Sequence, residues 1–242
     1  MNGLLTAVSF LTRLPVGRRK AVEAAEVARS AGLFPLVGAA LGSFNCLAAA
    51  LVKGHLPPLV IAALLVLLDA LVTGALHFDG LADSADGLGG GREPEEVLRI
   101  MHDHSIGSFG GTALAVCVAV KVTAYAALLG QSNWIPALIL TPALGRWSTL
   151  ILTATYRYAG PGASVADGMG KRALALGTTL IAVALASAAS SRALIAAIIV
   201  ALVTACFGLY CRRRIGGITG DTLGANVELC ECAALLVFLW AR

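Results

Sequence analysis

Residues 57–92 read PPLVIAALLVLLDALVTGALHFDGLADSADGLGGGR. The first twenty positions carry a single charge, Asp69, and as a helix rising 1.5 Å per residue they span a hydrocarbon layer of about 30 Å. From His77 onward the character reverses, with Asp79, Asp83 and Asp86 standing among glycines. One segment thus crosses lipid and emerges onto a cluster of acids. The rest of the chain repeats the apolar half of this pattern. Its 242 residues are 58% hydrophobic and 13% charged, against about 25% charged in soluble domains, and mean hydropathy is +0.84. A water-exposed surface cannot be built from such a composition. The long Ala/Leu runs lack the alternation of a membrane barrel, so the expected class is all-α, a polytopic membrane helix bundle.

Spans are predicted at 33–52, 57–76, 108–129, 135–155, 173–190, 193–210 and 225–241, about seven transmembrane helices in one domain covering 1–242. Lys and Arg are retained on the cytoplasmic side of short loops. A cytoplasmic N-terminus puts Arg13, Arg18, Arg19, Lys20, Arg29, Arg92, Arg99, Arg157, Lys171, Arg172 and Arg212 to Arg214 inside, and only Lys53, Arg192 and Arg242 outside. The expected location is the cytoplasmic (inner) membrane, multi-pass, with the active site facing the cytoplasm. Residues 1–11 lack a basic leader and are expected to be retained, lying in the interface with Leu4, Leu5, Val8 and Leu11 at helical spacing. The six cysteines form no CxxC pair, which argues against a disulfide framework or a zinc site.

The outer loops are short and carry no carboxylate, so chemistry belongs to 77–107, 156–172 and 211–224, which hold Asp103, Asp167 and Asp221 besides the cluster. Asp79, Asp83 and Asp86 stand at i, i+4 and i+7, one stripe of a helix if the second span continues through them. Two anions about 4 Å apart near a protein surface repel by roughly 4 kcal/mol, so a cation must neutralise the cluster or some members must protonate. Oxygen donors without thiolates suit Mg²⁺ bridging to phosphate, and the spacing excludes an EF-hand. Residues 212–231, RRRIGGITGDTLGANVELCE, open a helix from a glycine-rich turn, where free amides and the positive helix end can face a phosphate. Glu228 and Glu231 inside an apolar helix would cost roughly 2.5–3.5 kcal/mol each if unpaired in lipid, so they must face a polar interior. Asp69 and Arg146 are expected to pair within the bundle, and Lys121 to snorkel outward. Asp103, beside His102 and His104, can complete a metal site or accept a proton. A metal beside a phosphate-binding turn points to phosphoryl-type transfer.

The chain resembles the cobalamin synthase family, the adenosylcobinamide-GDP ribazoletransferases. The resemblance rests on Ser9 to Val16 (SFLTRLPV), Phe34 to Gly38 (FPLVG), His77-Phe78-Asp79-Gly80-Leu81-Ala82-Asp83 with Asp86-Gly87, Ile100-Met101 with Asp103, and Gly217 to Ala225 (GITGDTLGA) with Glu228. It implies a Mg²⁺-dependent step in which a ribose hydroxyl of α-ribazole, or of its 5′-phosphate, attacks the cobinamide phosphate and GMP leaves. On that footing Asp79, Asp83, Asp86, Asp221 and Glu228 are expected to hold the metal. Asp103 or His77 is expected to take the proton, with Asp83 acting beside them. Arg13, Arg99, Gly217, Thr219, Gly220 and Asn226 are expected to bind substrate. The chain departs from the family at Asp103-His104-Ser105, where many relatives carry Asp-Ser-Arg, so a phosphate contact there must come from Arg99 or Arg92. Partners implied are the corrinoid nucleotide, α-ribazole and the lipid bilayer, with neighbouring cobalamin-assembly enzymes and self-association left open and no nucleic acid expected. The competing reading is a CDP-alcohol phosphotransferase, whose Asp-Gly-x-x-Ala-Arg pattern fails at Ala82-Asp83.

Overall fold

A computed structural model describes residues 3–16, 23–132, 134–160 and 168–240; Arg18, Arg19, Lys20, Asp167 and Arg242 named above lie outside them. The helices are α1 (Gly3–Leu11), α2 (Ala24–Ser30), α3 (Phe34–Val52), α4 (Pro58–Thr73), α5 (Leu76–Gly90), α6 (Pro94–Met101), α7 (Ser108–Leu129), α8 (Trp134–Thr155), α9 (Lys171–Ala188), α10 (Ser191–Ile215) and α11 (Gly220–Trp240). No named strand occurs among the described residues. Prolines open α3, α4 and α6, where the missing amide has no intrahelical partner to lose. Six segments are long and apolar enough to cross a membrane, and the bent pair α4–α5 raises the number to seven. The span limits expected from the apolar runs agree with these helices to within a few residues, apart from the C-terminal extension of α10 and the earlier start of α11.

The second span does not continue through the acids. Gly74 and Ala75 both adopt left-handed backbone, at φ of 65° and 56°, and α5 leaves α4 at 91°. Gly74 enters that region without a Cβ penalty, and the Arg13 side chain lies across it where a Cβ would stand. The three acids therefore share a separate helix turned off the membrane-crossing axis. α1, nine residues long, is too short to cross. It turns Ala7 and Leu11 into a small core with Val27, Phe34 and Leu150 and leaves Leu4 and Leu5 exposed.

Close backbone approach holds the bundle. Gly38 and Gly42 of α3, four residues apart, face the backbone of Pro142, Ala143 and Ile139 in α8, where a Cβ on Gly42 would come within 2.6 Å of the Ile139 Cα. α11 is the central helix, packing on α5, α7, α8 and α10. It buries Asn226, Glu228 and Glu231 along with Cys230, Ala234 and Leu235.

Two internal pairings differ from expectation. Asp69 accepts a 2.9 Å hydrogen bond from the Asn45 amide, and Arg146 pairs instead with Glu231. Lys121 does not snorkel: it is 2% exposed, with Nζ 2.5 Å from Glu228 and 2.7 Å from Glu231. Both differences have one cause. Glu228 and Glu231, one turn apart on the central helix, attract the two span cations inward, because neutralising buried carboxylates outweighs reaching the membrane edge.

Candidate active site

Gly80 of α5 and Gly224 of α11 let the two helices meet. A Cβ on Gly80 would stand 2.7 Å from the Asp221 carbonyl oxygen and 3.2 Å from the Gly224 Cα. That contact brings Asp79 and Asp221 onto one cavity of about 260 Å³, closed by α1, α3 and α8. Its wall runs along α11 from Gly220 and Asp221 past Gly224 to Val227, roughly 10 Å of helix. His77 lies level with Gly224, and Arg146 borders the cavity with Val227. Phe10, Phe34 and Met169 supply apolar walls, the two rings stacked with centroids 5.8 Å apart.

The carboxylates expected to act together fall into three settings. Asp79 is exposed, while Asp83 and Asp221 are half-buried. Burial, reinforced by the charges of Asp79, Asp221 and Asp86, pushes the Asp83 carboxyl up to about 6. Asp86 is buried and accepts hydrogen bonds from the amides of Gly107 at 2.7 Å and Gly110 at 2.9 Å, which caps the start of α7 from a neighbouring helix. Glu228 lies in the bundle interior, with one oxygen taken by Lys121 and by the Cys117 thiol at 3.4 Å. The expected five-membered donor set is thus divided, since Asp86 holds a helix end and Glu228 holds a lysine.

Among the described residues the ion pairs join only Lys121, Arg146, Glu228 and Glu231, which leaves Asp79, Asp83 and Asp221 without a cationic partner. No three His, Cys, Asp or Glu side chains among those residues are placed to share one metal ion. The hard oxygen chemistry of Asp79, Asp83 and Asp221 still fits Mg²⁺ in its usual mode. That mode takes one or two carboxylates and draws its other ligands from water and substrate phosphate.

His77 is 5% exposed, and neither ring nitrogen has a hydrogen-bond partner. Burial, reinforced by the charges of Arg146 and Lys121, pulls the imidazole well below its ordinary range, so it is neutral. Asp103 is fully exposed and borders a different hollow, with Asp86, Gly107 and Ser108. Hydrogen bonds from Ser105, whose amide lies 3.0 Å away, hold its carboxyl below the usual range. His77 and Asp103 therefore do not converge on one cavity.

The expected substrate contacts also separate. Gly220 is exposed at the cavity rim. Thr219 and Thr222 bond reciprocally, amide to hydroxyl, at 2.8 and 3.2 Å, so the Thr219 hydroxyl caps α11 and its amide, donating to the Thr222 hydroxyl, is not free for a phosphate. Gly217 is buried against the Arg157 carbonyl. Asn226 is buried, donating to Ser148 at 2.8 Å and Thr204 at 3.3 Å, and knits three helices together. Arg13 is exposed at the α4–α5 turn, and Arg99 is exposed on α6 near Asp103. Sequence reasoning missed the chain Glu228–Lys121–Glu231–Arg146. Its signal was present, because two acids and two bases within apolar runs must pair in lipid.

These features define a multi-pass helical membrane protein whose Asp79, Asp83 and Asp221 carboxylates gather at one end of the bundle. The chain belongs to the cobalamin-5-phosphate synthase family, whose sequence profile matches residues 3–239. It is similar to proteins named adenosylcobinamide-GDP ribazoletransferase. That of Syntrophobacter fumaroxidans is 40% identical over 95% of each chain. That of Desulfitobacterium hafniense is 39% identical over 98% of this chain and 96% of its own. The Thiobacillus denitrificans protein is 37% identical over 98% and 94%. No solved structure matches the chain. The family makes the chain a transferase, and no match favours a CDP-alcohol phosphotransferase.

Proposed function

We propose that the chain joins adenosylcobinamide-GDP to α-ribazole, or to its 5′-phosphate, with release of GMP. A ribose hydroxyl of the nucleoside attacks the phosphorus attached to cobinamide, the bond from that phosphorus to the GMP oxygen breaks, and the hydroxyl proton passes to a base. The observation that carries this reading is the Gly80–Gly224 contact, which sets Asp79 and Asp221 on one cavity with Asp83 beside them. Mg²⁺ bound there would neutralise the diphosphate and polarise the phosphorus. Asp79 and Asp221 would hold it, with Asp83 beside them and the remaining ligands drawn from water and phosphate, while Asp86 and Glu228 keep their structural partners. His77 is the proton acceptor of choice over Asp103, because it borders the cavity with both ring nitrogens unpartnered, whereas Asp103 borders a different hollow.

The test is product analysis on detergent-purified protein supplied with both substrates. GMP and the corrinoid product are expected in equal amounts, with at least about a hundredfold loss of kcat on chelation or in Asp79→Asn. Release of CMP with a phospholipid product would overturn the proposal, and full activity after chelation would remove the metal from it.

A further inference from the structure

The cavity has more depth than the transfer chemistry requires. The reacting phosphorus belongs at its rim with Asp79 and Asp221, yet the hollow continues along α11 to Val227 and Arg146. At about 260 Å³ it is smaller than the roughly 300–1,000 Å³ of pockets that hold whole drug-sized ligands, so it cannot take in a corrinoid ring. Its inner part is walled by Phe34, Met169 and Val227, with Arg146 at its edge. Arg146 is 5% exposed and anchored at its other end on Glu231, and its Nε–H has no partner. Glu231 is itself held by Lys121, so the guanidinium is fixed from behind. Apolar walls whose neighbouring polar atoms are sealed from the hollow call for a flat, largely apolar ring.

We propose, resting on the function above, that this cavity seats the base of α-ribazole. The base enters first, against Phe34, Met169 and Val227, with the ribose level with His77. The dimethylated benzimidazole presents one acceptor nitrogen and otherwise only apolar edge. The guanine of the other substrate presents adjacent N–H donors that need a carboxylate or amide acceptor. The inner cavity has none free, because Glu231 is held by Arg146 and Lys121. A guanine there would leave polar groups buried without partners, the kind of mismatch by which sites discriminate most strongly. The ribose hydroxyl then stands at the rim, where the corrinoid nucleotide can approach from outside.

The experiment uses the full chain in detergent, with free 5,6-dimethylbenzimidazole and guanosine as probes. Dimethylbenzimidazole is expected to inhibit competitively against α-ribazole and not against adenosylcobinamide-GDP, and guanosine to show no competition with α-ribazole. Val227→Phe, which fills the inner cavity, is expected to raise KM for α-ribazole by about tenfold or more while KM for the corrinoid nucleotide changes less than about twofold. A photoreactive benzimidazole on the unaltered protein needs no variant to fold, and it should label peptides containing Phe34 or Met169. Labelling confined to other surfaces, or guanosine displacing the label where α-ribazole does not, overturns the proposal. Labelling of the cavity in a preparation that releases no GMP supports the base site and sinks the transferase reading instead. GMP release with labelling elsewhere does the reverse.

Discussion

Asp83 stands half-buried on α5 with three other carboxylates acting on it, and its carboxyl is pushed up to about 6 from 3.8. The folded protein therefore keeps this proton to higher pH than the unfolded chain, and stability falls as pH rises from about 4 to about 6, with the full penalty present above that window. In chelator, Asp83→Asn should melt higher than the unaltered protein at pH 7.5 and close to it at pH 4, read by thermal unfolding in detergent. Equal melting at pH 7.5 would show that the like charges impose no cost. Added Mg²⁺ should raise the melting temperature of the unaltered protein at pH 7.5 more than that of the variant, because the ion relieves the same repulsion. The acids themselves were legible at i, i+4 and i+7. Their division of labour was not, because the amides that engage Asp86 lie 21 and 24 positions further on and belong to another helix. Glu228 likewise finds its lysine 107 positions away. Side-chain type announces a carboxylate, while its partner is set by tertiary packing.

α11 carries the largest share of these decisions. Its Glu228 and Glu231 hold Lys121 of α7, and Glu231 holds Arg146 of α8, so two acids and two bases form one neutral buried chain. Removing one member leaves an uncompensated charge. Lys121→Met should destabilise the bundle by about 3–5 kcal/mol. The double variant Lys121→Met/Glu228→Gln should recover most of that, since it leaves the neutral pair Arg146–Glu231. Monodispersity and melting in detergent measure both, and a lysine variant as stable as the unaltered protein would refute the network's role. Gly80→Ala tests the neighbouring contact. Its Cβ meets backbone of Asp221 and Gly224, which cannot rotate away, so α5 must shift from α11 at about 1–3 kcal/mol, with a large fall in kcat from misplaced carboxylates. Unchanged kcat would separate the helix contact from the chemistry. The spans of α3, α7 and α8 were legible almost to the residue, because the length of an apolar run is fixed by the thickness it must cross, while α10 runs on to Ile215 and α11 starts at Gly220 where polar residues hid them. The 91° turn into α5 was not, because a left-handed Ala75 leaves no mark in sequence and Gly74 beside it reads equally well as a packing glycine.

Asp79, Asp83 and Asp221, the rim of the cavity and the connections at 74–107, 156–160 and 216–219 belong to one end of the bundle, where backbone bonds between Arg157 and Ile218 and between Ile218 and Ala159 tie two of those connections together. The same end carries Arg92, Arg99, Arg157 and, in the last turn of α10, Arg212 to Arg214, whereas the other end carries Lys53 and Arg192. Basic residues in short loops are held back during insertion, so this end should face the cytoplasm, where charged nucleotide substrates need no passage across lipid. The prediction is testable with a membrane-impermeant maleimide on intact cells expressing cysteine-free protein with one cysteine restored. His55→Cys, exposed in the turn between α3 and α4, should label from outside. Glu95→Cys, exposed on α6, should label only after the membrane is opened. Reversed labelling would place Asp79 and Asp221 on the outer face. The corrinoid nucleotide would then have to be exported before it could react, and the cytoplasmic placement of the transfer would fail even with every intramolecular contact intact.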